Sequence, residues 1–160
     1  MGMRRKFIAD MMLGRLARWL RLYGYDTLYG VEEDGEILRI ARDEERVIIT
    51  RDSGLSRRAK SLGLEVILLG SNSLEGQVTE LEEHGVEFGE LSPASARCPK
   101  CNGPLRRASG EEVRGKVPEA VYQKYDEFYI CEKCGQIYWP GRQWREMVRM
   151  AEKLKNARGG

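Results

Sequence analysis

The sequence predicts an α/β fold, in which a parallel sheet flanked by helices is followed by a small cysteine-bearing module and a C-terminal helix. Two observations predict it. Between residues 6 and 84, short apolar runs alternate with stretches of helical periodicity, and short connections join them, which is typical of a parallel sheet. All four cysteines of the 160-residue chain then fall into two Cys-x-x-Cys pairs in the second half.

Strand and helix signals follow one another in order along the first half. A strand over 6–10 leads into a helix over 11–23, in which Leu13, Leu16 and Leu20 share one face and which Gly24 ends. The remaining predicted elements are a strand over 25–29, a helix over 34–45, a buried strand over 46–50, a helix over 55–62, a strand over 64–69 and a helix over 73–84 with Ser73 as its N-cap.

A linker divides the chain into two predicted domains, 1–92 and 93–160. The residues around it, 91–97, are rich in Ser, Pro and Ala and lack periodicity. The second domain runs through the cysteine pairs to about Pro140. A helix over 141–156, with Trp144 and Leu154 on one face, completes it.

The cysteine pairs predict a metal site. Two knuckles without a spare cysteine supply four thiolates to one tetrahedral ion, and this set favours a structural Zn²⁺ in a zinc ribbon. The alternatives are two redox dithiols or disulfides. A redox dithiol normally lies between a strand and a helix, whereas both pairs here lie between strand-like runs. The predicted ligands are Cys98, Cys101, Cys131 and Cys134.

Composition argues against a membrane protein. The longest apolar runs, 47–49 and 66–69, are far too short to span a bilayer. The basic N-terminal residues lead into no apolar signal region. Cysteines used for metal binding point to a reducing compartment, so we expect a cytoplasmic protein without membrane contact.

Charge is divided unequally between the two predicted domains. Residues 1–92 carry 13 Lys and Arg against 17 Asp and Glu, a net charge of −4, whereas residues 93–160 carry 14 against 8, a net charge of +6. Four thiolates and one Zn²⁺ would reduce the second value to +4. A basic second domain indicates a polyanionic partner such as nucleic acid, although basic surfaces are also common without one.

Three acids are placed where a catalytic site would form. Asp10 and Asp52 follow buried strands, and Asp34 begins the helix after the second strand, so all three can reach the carboxyl edge of the sheet. Converging carboxylates repel one another unless a cation lies between them, and oxygen ligands suit Mg²⁺ or Mn²⁺. Helix capping is the alternative explanation for Asp34 and Asp52. Asp10 is the hardest of the three to explain without a site, because it directly follows a buried strand and precedes an apolar helix.

Four segments of the chain together resemble the PIN-like ribonuclease domain of the mutator-seven carboxy-terminal domain family, which carries a C-terminal zinc ribbon. They are Phe7-Ile-Ala-Asp10-Met-Met-Leu-Gly-Arg15-Leu-Ala-Arg18-Trp-Leu-Arg21 with the residues up to Thr27, Ile48-Ile-Thr-Arg51-Asp52, Cys98-Pro-Lys-Cys101-Asn-Gly-Pro-Leu105, and Cys131-Glu-Lys-Cys134-Gly-Gln-Ile-Tyr-Trp139.

This resemblance implies a PIN-like parallel sheet and a metal-dependent ribonuclease. It assigns the catalytic acids to Asp10, Asp34 and Asp52, which would bind Mg²⁺ or Mn²⁺. PIN nucleases often use a fourth acid, for which the candidates here are Glu36, Glu44 and, more weakly, Asp26.

The sequence-based hypothesis is therefore a ribonuclease that hydrolyses RNA phosphodiester bonds, with a zinc ribbon assisting RNA or partner binding. Arg15, Arg18 and Arg51 are predicted to bind flanking phosphates, because the guanidinium fork matches phosphate oxygens. Three ribbon aromatics would either stack on unpaired bases or pack beneath the zinc. They are Tyr129, Tyr138 and Trp139.

Two other functions remain open at this point. In the first, the acids only cap helices and the protein is a non-catalytic RNA- or ribosome-binding adaptor. In the second, it is a protein-interaction module of a processing assembly. A nuclease assay with and without metal separates the enzyme from both, and the ribosome or processing proteins are further partners to consider.

Overall fold

The protein contains two sheets with helices around them, and the computed structural model describes residues 4–159. The elements of the first half are β1 (Phe7–Ala9), a 3₁₀ turn (Met11–Leu13), α1 (Gly14–Leu22), β2 (Thr27–Leu28), α2 (Asp34–Glu44), β3 (Val47–Thr50), α3 (Ser53–Ser61), β4 (Val66–Leu68) and α4 (Leu74–Glu83). Those of the second half are β5 (Leu105–Ala108), α5 (Gly110–Val113), α6 (Glu119–Lys124), β6 (Phe128–Cys131), β7 (Ile137–Tyr138) and α7 (Arg142–Gly159).

The first sheet confirms the predicted α/β class. Its four strands run parallel in the order β2-β1-β3-β4, and Phe7 is in register with both Thr27 and Val47. The chain passes from β1 to β2 on one side and then crosses to β3 on the other side of β1. The carboxyl ends of β1 and β3 therefore border the point where the strand order reverses, and ligands bind there in open α/β sheets.

Helices cover the first sheet on both faces, and each face has its own apolar cluster. Successive side chains of a strand point to opposite faces, so Phe7 and Ala9 of β1 enter one cluster and Ile8 enters the other. Leu16 and Leu20 of α1 pack on the first face, whereas Ile37 of α2 and Leu55 of α3 pack on the second. Burial on both faces explains why these strands are continuous apolar runs.

The second sheet contains the cysteine pairs and is antiparallel, in the order β5-β6-β7. Between β5 and β6 lie α5 and α6, which the sequence analysis missed because four and six residues are too few for a helical period to stand out. Ser109 and Glu112 form a capping box at α5, and Val113 packs against Phe128.

The C-terminal helix α7 packs against the first module. Leu154 is buried in the same cluster as Phe7 and Leu20, and Ala151 packs beside it. The predicted boundary at residue 92 falls between α4 and β5. The division into domains 1–92 and 93–160 stays a prediction, since α7 closes the core of the part before that boundary.

Capping side chains set where α3 and α4 begin. Helix α3 begins at Ser53 rather than 55, because the side chain of Asp52 caps it. Ser73 caps α4 as expected, accepting a hydrogen bond from the backbone N–H of Gly76. None of the described helices combines the length and apolar character that crossing a bilayer requires.

Candidate active site and metal centre

Asp10 lies at the end of β1, where its carboxylate is held from two sides. Its backbone N–H continues the sheet by donating to the carbonyl of Ile49 at 3.1 Å. Its Oδ1 accepts from the backbone N–H of Met12 at 2.9 Å, and its Oδ2 accepts from the hydroxyl of Thr50. Asp10 is only 8% exposed and Thr50 is fully buried. The carboxylate is therefore fixed in orientation before any ligand binds.

Thr50 links two of the predicted acids. Its hydroxyl donates to Asp10 and accepts from the backbone N–H of Asp52 at 2.9 Å. The sequence analysis missed this residue, although a threonine that ends an apolar strand two positions before an aspartate was the available signal. Asp52 itself uses Oδ1 to accept from the backbone N–H groups of Gly54 at 2.8 Å and Leu55 at 3.3 Å. Capping thus explains one oxygen of Asp52, while Oδ2 has no hydrogen bond among the described residues.

Asp34 does not cap its helix. The N-cap of α2 is Glu33, whose side chain makes no capping hydrogen bond, and Asp34 is the first helical residue. Capping as an explanation for Asp34 is therefore wrong. Its carboxylate lies 3.9 Å from the guanidinium of Arg58 on α3, a neighbouring cation that the sequence analysis did not identify.

The three predicted acids share one cavity. It has a volume of about 140 Å³ and lies at the carboxyl edge of the sheet. The lining residues are Asp10, Asp34 and Asp52 together with Met11, Met12, Val31, Glu32, Ile37 and Leu55. Three acids separated by up to 42 positions in the sequence thus face one space, as expected for residues that follow parallel strands.

Glu32 is the only further acid in the lining of this cavity. The three residues suggested for a fourth acidic position are engaged elsewhere. Glu36 pairs with Arg39 on the surface of α2, whereas Glu44 and Asp26 both pair with the buried Arg46. The signal for Glu32 was weak, because it precedes α2 in a loop without periodicity.

The donor chemistry of this cavity fits a hard divalent cation that keeps part of its water. Within residues 4–159, only the four cysteines bring three or more ligand atoms all within 4.8 Å of one another, so the carboxylates do not form such a closed set. Mg²⁺ usually takes one or two protein carboxylates and retains several waters, which suits acids that face a common cavity from separate elements.

None of the three predicted phosphate-binding arginines lines the cavity. Arg15 and Arg18 are exposed on α1, and neither has a hydrogen bond or ion pair within the described part of the chain. Arg51 is half-buried, and its Nε is buried without a hydrogen-bond partner there. Arg21 follows Arg15 and Arg18 at the same three-residue spacing, which predicts a solvated stripe of arginines on α1, but its side chain is buried.

The four cysteines come together as predicted. Sγ of Cys98 lies 3.8 Å from Sγ of Cys134, and Sγ of Cys101 lies 3.4 Å from Sγ of Cys131. These distances exclude disulfides, whose sulfurs are about 2.05 Å apart. Four sulfurs at about 2.3 Å from one zinc ion would be about 3.8 Å apart, so the spacing fits tetrahedral Zn²⁺.

Hydrogen bonds to sulfur support the same assignment. The backbone N–H groups of Lys133 and Cys134 point at Sγ of Cys131 at 3.4 and 3.3 Å, and that of Gly103 points at Sγ of Cys101 at 3.4 Å. Gly103 has no substitute here, because a Cβ at this position would lie 2.7 Å from Sγ of Cys131.

The thiols differ in acidity. Burial raises the pKa of Cys101 to about 12. Burial also acts on Cys131, but the backbone N–H groups of Cys134 and Lys133 outweigh it and lower the pKa of that thiol to about 7. A bound cation deprotonates a coordinating thiol outright, so metal binding here would release protons.

The ribbon aromatics pack inside the second module. Tyr129 is 4% exposed and donates its hydroxyl to Glu127. Burial, followed by the nearby Cys98 thiol, raises the pKa of Tyr138, so its hydroxyl keeps its proton and can donate to Sγ of Cys98 at 3.0 Å. Trp139 packs edge-on against Phe128. All three rings therefore make contacts within the second module, and stacking on unpaired bases stays a prediction.

The first Cys-x-x-Cys knuckle contacts the edge of the parallel sheet. Asn102, in a left-handed conformation at φ 72°, accepts at Oδ1 from the backbone N–H of Thr27 at 2.9 Å and donates from Nδ2 to Oδ1 of Asp26 at 2.6 Å. Thr27 is in register with Phe7, whereas Asp10 follows the other end of β1. The knuckle therefore binds roughly 10 Å from the level of the acids, at the opposite end of the strands.

Arg21 completes this contact. Its guanidinium donates to the carbonyl of Thr27 and to that of Pro99, each at 2.9 Å, and its own carbonyl accepts from the backbone N–H of Arg97 at 2.8 Å. Helix α1, strand β2 and the cysteine module are thus joined by one buried side chain.

Comparison with known proteins agrees with the geometry. A family model described as the Mut7-C RNAse domain matches residues 5–151, which include the acidic cavity and all four cysteines. No curated protein and no solved structure matches the chain. Since the family model covers most of the sequence, the chain belongs to the Mut7-C RNAse domain family.

Proposed function

We propose that the protein is a metal-dependent ribonuclease that hydrolyses RNA phosphodiester bonds at the acidic cavity. The observation that carries the proposal is that Asp10, Asp34 and Asp52 line one cavity at the carboxyl edge of the sheet. The match to the Mut7-C RNAse domain supports a nuclease and RNA as the substrate. We further infer a cytoplasmic location, because free thiolates at a metal site require a reducing compartment.

The three acids share one role in this proposal, and two neighbouring side chains assist them. Asp10, Asp34 and Asp52 would hold Mg²⁺ or Mn²⁺, which when bound supplies a Lewis acid for water activation and for the charge on phosphate. Thr50 orients Asp10 and the backbone of Asp52 through its hydroxyl. The side chain of Arg58, near Asp34, offsets part of the negative charge while the cavity is free of cation.

Substrate phosphates would be bound by the three predicted arginines. Arg15 and Arg18 have exposed guanidinium groups on α1, and Arg51 has a buried Nε without a partner among the described residues. Guanidinium groups bind phosphate oxygens with two parallel hydrogen bonds. These cations would hold RNA near a cavity whose own charge repels it.

We assign the second module two roles. A structural Zn²⁺ bound by the four cysteines would hold Asn102 against β2 and so support the sheet. The positive charge of residues 93–160 would add affinity for RNA or for a ribosomal or processing partner.

The test is an RNA cleavage assay on the full chain with Mg²⁺, with Mn²⁺ and with excess EDTA. Asp10→Asn, Asp34→Asn and Asp52→Asn should each reduce cleavage by at least about 100-fold, because each removes an anionic ligand of the cation. Glu75→Gln, an exposed acid on α4, is the matched control and should cleave normally. Full activity in EDTA or of Asp10→Asn would reject the proposal, and RNA binding without cleavage under any condition would favour the adaptor.

A further inference from the structure

The mouth of the acidic cavity carries exposed apolar side chains. Met11 is 43% exposed and Met12 is 71% exposed, and both line the cavity beside the acids. Tyr29 is 37% exposed, and its hydroxyl donates to the carbonyl of Met11 at 2.9 Å. These are three of the six large hydrophobic side chains that are exposed among the described residues. Single exposed apolar side chains are common on protein surfaces and do not indicate a binding site. A group of them at a candidate active site does indicate an interaction surface.

Asp10 itself holds the two methionines outward. Its Oδ1 accepts from the backbone N–H of Met12 and starts the 3₁₀ turn Met11–Leu13. Within that turn Leu13 points into the core and is 2% exposed. The fold therefore buries one of three apolar side chains in the turn and leaves the other two at the cavity. Apolar residues placed in this way on a rigid turn are available to an incoming ligand.

Tyr29 is fixed against the same turn. Its ring lies directly on Gly14, where an added Cβ would stand 2.8 Å from Oη and 3.0 Å from Cζ. Gly14 thus provides the space for the ring, and the hydroxyl bond to Met11 fixes its position. An aromatic ring held at its hydroxyl end by a hydrogen bond and by packing against Gly14 contributes contact area at low entropic cost.

We propose that Met11, Met12 and Tyr29 form a surface that binds an unpaired nucleobase next to the scissile phosphate. The inference rests on the proposed ribonuclease function. The acidic cavity attracts a cation, and the bound cation in turn would attract phosphate, so the apolar surface beside it suits the part of a nucleotide that is flat, uncharged and polarisable. Aromatic rings stack on bases of any sequence, and the thioether of methionine makes favourable contacts with aromatic rings.

This surface would select for unpaired nucleotides. In a duplex both faces of a base are stacked on its neighbours, and its edge is paired. A splayed base in a single strand or loop presents a free face. Arg15 follows Gly14 on α1, where its exposed guanidinium could bind a phosphate of the same strand.

A second apolar space lies between α7 and the ribbon. It is a cavity of about 420 Å³, lined in part by Tyr129, Trp139, Trp144 and Met150. Met150 is 39% exposed, which is similar to the exposure of Met11, and it supplies an internal reference on the same molecule.

Substitution gives the first test. Tyr29→Ala and Met12→Ala should raise KM for a single-stranded RNA by about tenfold with little change in kcat, which is within the range measured for loss of one stacked base. Leu62→Ala, at an exposed leucine following α3, should change neither constant. An RNA with an abasic residue beside the cleaved bond should bind the wild-type protein more weakly by a similar factor. Tyr29→Ala should bind this abasic RNA no more weakly than it binds the intact RNA. If the loss of affinity from the substitution and the loss from the abasic residue add, the proposal is overturned.

Methionine oxidation gives the deciding experiment. Full-length Asp10→Asn protein is saturated with a single-stranded oligoribonucleotide in Mg²⁺, oxidised briefly with peroxide, and analysed residue by residue. Bound RNA should slow oxidation of Met11 and Met12 several-fold, and more than it slows oxidation of Met150. Unchanged oxidation of Met11 and Met12 in the saturated complex, or slowing no greater than that of Met150, would overturn the proposal. Cleavage by the wild-type protein is measured in parallel, so that cleavage without protection rejects this surface alone and absence of both also rejects the ribonuclease function.

Discussion

The side chain of Asn102 accepts a hydrogen bond from the backbone N–H of Thr27 at 2.9 Å, joining the first Cys-x-x-Cys loop to the edge strand of the parallel sheet. An exposed edge strand offers unpaired backbone groups to other chains, and proteins commonly cover it. Here a single buried asparagine takes the place of a neighbouring strand. The conformation of the first cysteine loop and the integrity of the parallel sheet therefore depend on each other.

Asn102→Ala should destabilise the first module although it leaves the cysteines intact. The substitution leaves the Thr27 amide without its acceptor, and an unsatisfied buried backbone group costs about 1–3 kcal/mol. Thermal unfolding should shift downward, and amide exchange of the β2 residues should accelerate. Asn72→Ala, in an exposed loop, is the matched control. Unchanged exchange at β2 would show that the contact contributes nothing to the sheet.

Asp26 should make the stability of this contact depend on pH. Burial raises its pKa, but hydrogen bonds from Arg46 and Asn102 outweigh burial and hold the pKa below its ordinary value. The stabilising effect of the charged form is therefore complete above the ordinary value of about 3.9 and is lost as the pH falls through the lowered pKa. The free energy of unfolding of the wild type should exceed that of Asp26→Asn at pH 7, and this difference should shrink below about pH 4.

A constant difference between the two proteins across this range would contradict that assignment. The comparison between wild type and variant matters, because acid also protonates the four thiols in both proteins and weakens metal binding equally.

Zinc content should depend on Gly103. Protein purified without added metal should contain about one zinc per chain, with zinc–sulfur distances of about 2.3 Å by X-ray absorption. In Gly103→Ala the new Cβ would meet Sγ of Cys131 at 2.7 Å and Cβ of Lys133 at 2.8 Å, so metal affinity should fall. Gly89→Ala, where no atom lies within 4 Å of the added Cβ, should retain zinc. Equal zinc affinity in the two variants would show that the knuckle adjusts without cost.

Thr50 should act on cleavage through the acids that it positions. Thr50→Val removes the hydroxyl that donates to Asp10 and accepts from the Asp52 amide, and loss of such an orienting group typically costs 10–100-fold in metal affinity or activity. Thr50→Ser restores the hydroxyl and should recover most of the activity. The Mg²⁺ concentration for half-maximal cleavage should rise in Thr50→Val alone. Similar activity in the valine and serine variants would indicate a purely packing role.

The arginines of α1 should set the salt dependence of RNA binding. Arg15→Ala and Arg18→Ala should each remove one phosphate contact. Each lost contact should reduce the magnitude of the slope of the logarithm of the RNA association constant against the logarithm of the salt concentration by about 0.7 on single strands. Arg42→Ala, an exposed arginine near the other end of the sheet that pairs with Asp43, should leave the slope unchanged. The measurement is fluorescence anisotropy over a salt series, and an unchanged slope in the α1 variants would exclude phosphate contacts there.

Local patterns were sufficient to predict much of this protein. The alternation of apolar strands and amphipathic helices gave the α/β class, because the strands are buried on both faces and so form continuous apolar runs. The Cys-x-x-Cys spacing gave the metal centre, since two residues between ligands suit one tight turn around an ion. Asp10 and Asp52 were identifiable because each follows a buried strand, and parallel strands end at a common edge.

Contacts between distant residues decided the rest. Arg21 belongs to a helical stripe of arginines that periodicity alone assigns to the surface, yet it is buried between Thr27 and Pro99. Asn102 meets Thr27 across 75 positions of sequence, and no local signal marks either residue as part of an interface. Glu32 lines the cavity from a loop, whereas the better-patterned Glu36 and Glu44 form ion pairs elsewhere. Periodicity reports which side of an element is apolar, but the partner of a polar group is set only when the elements pack together.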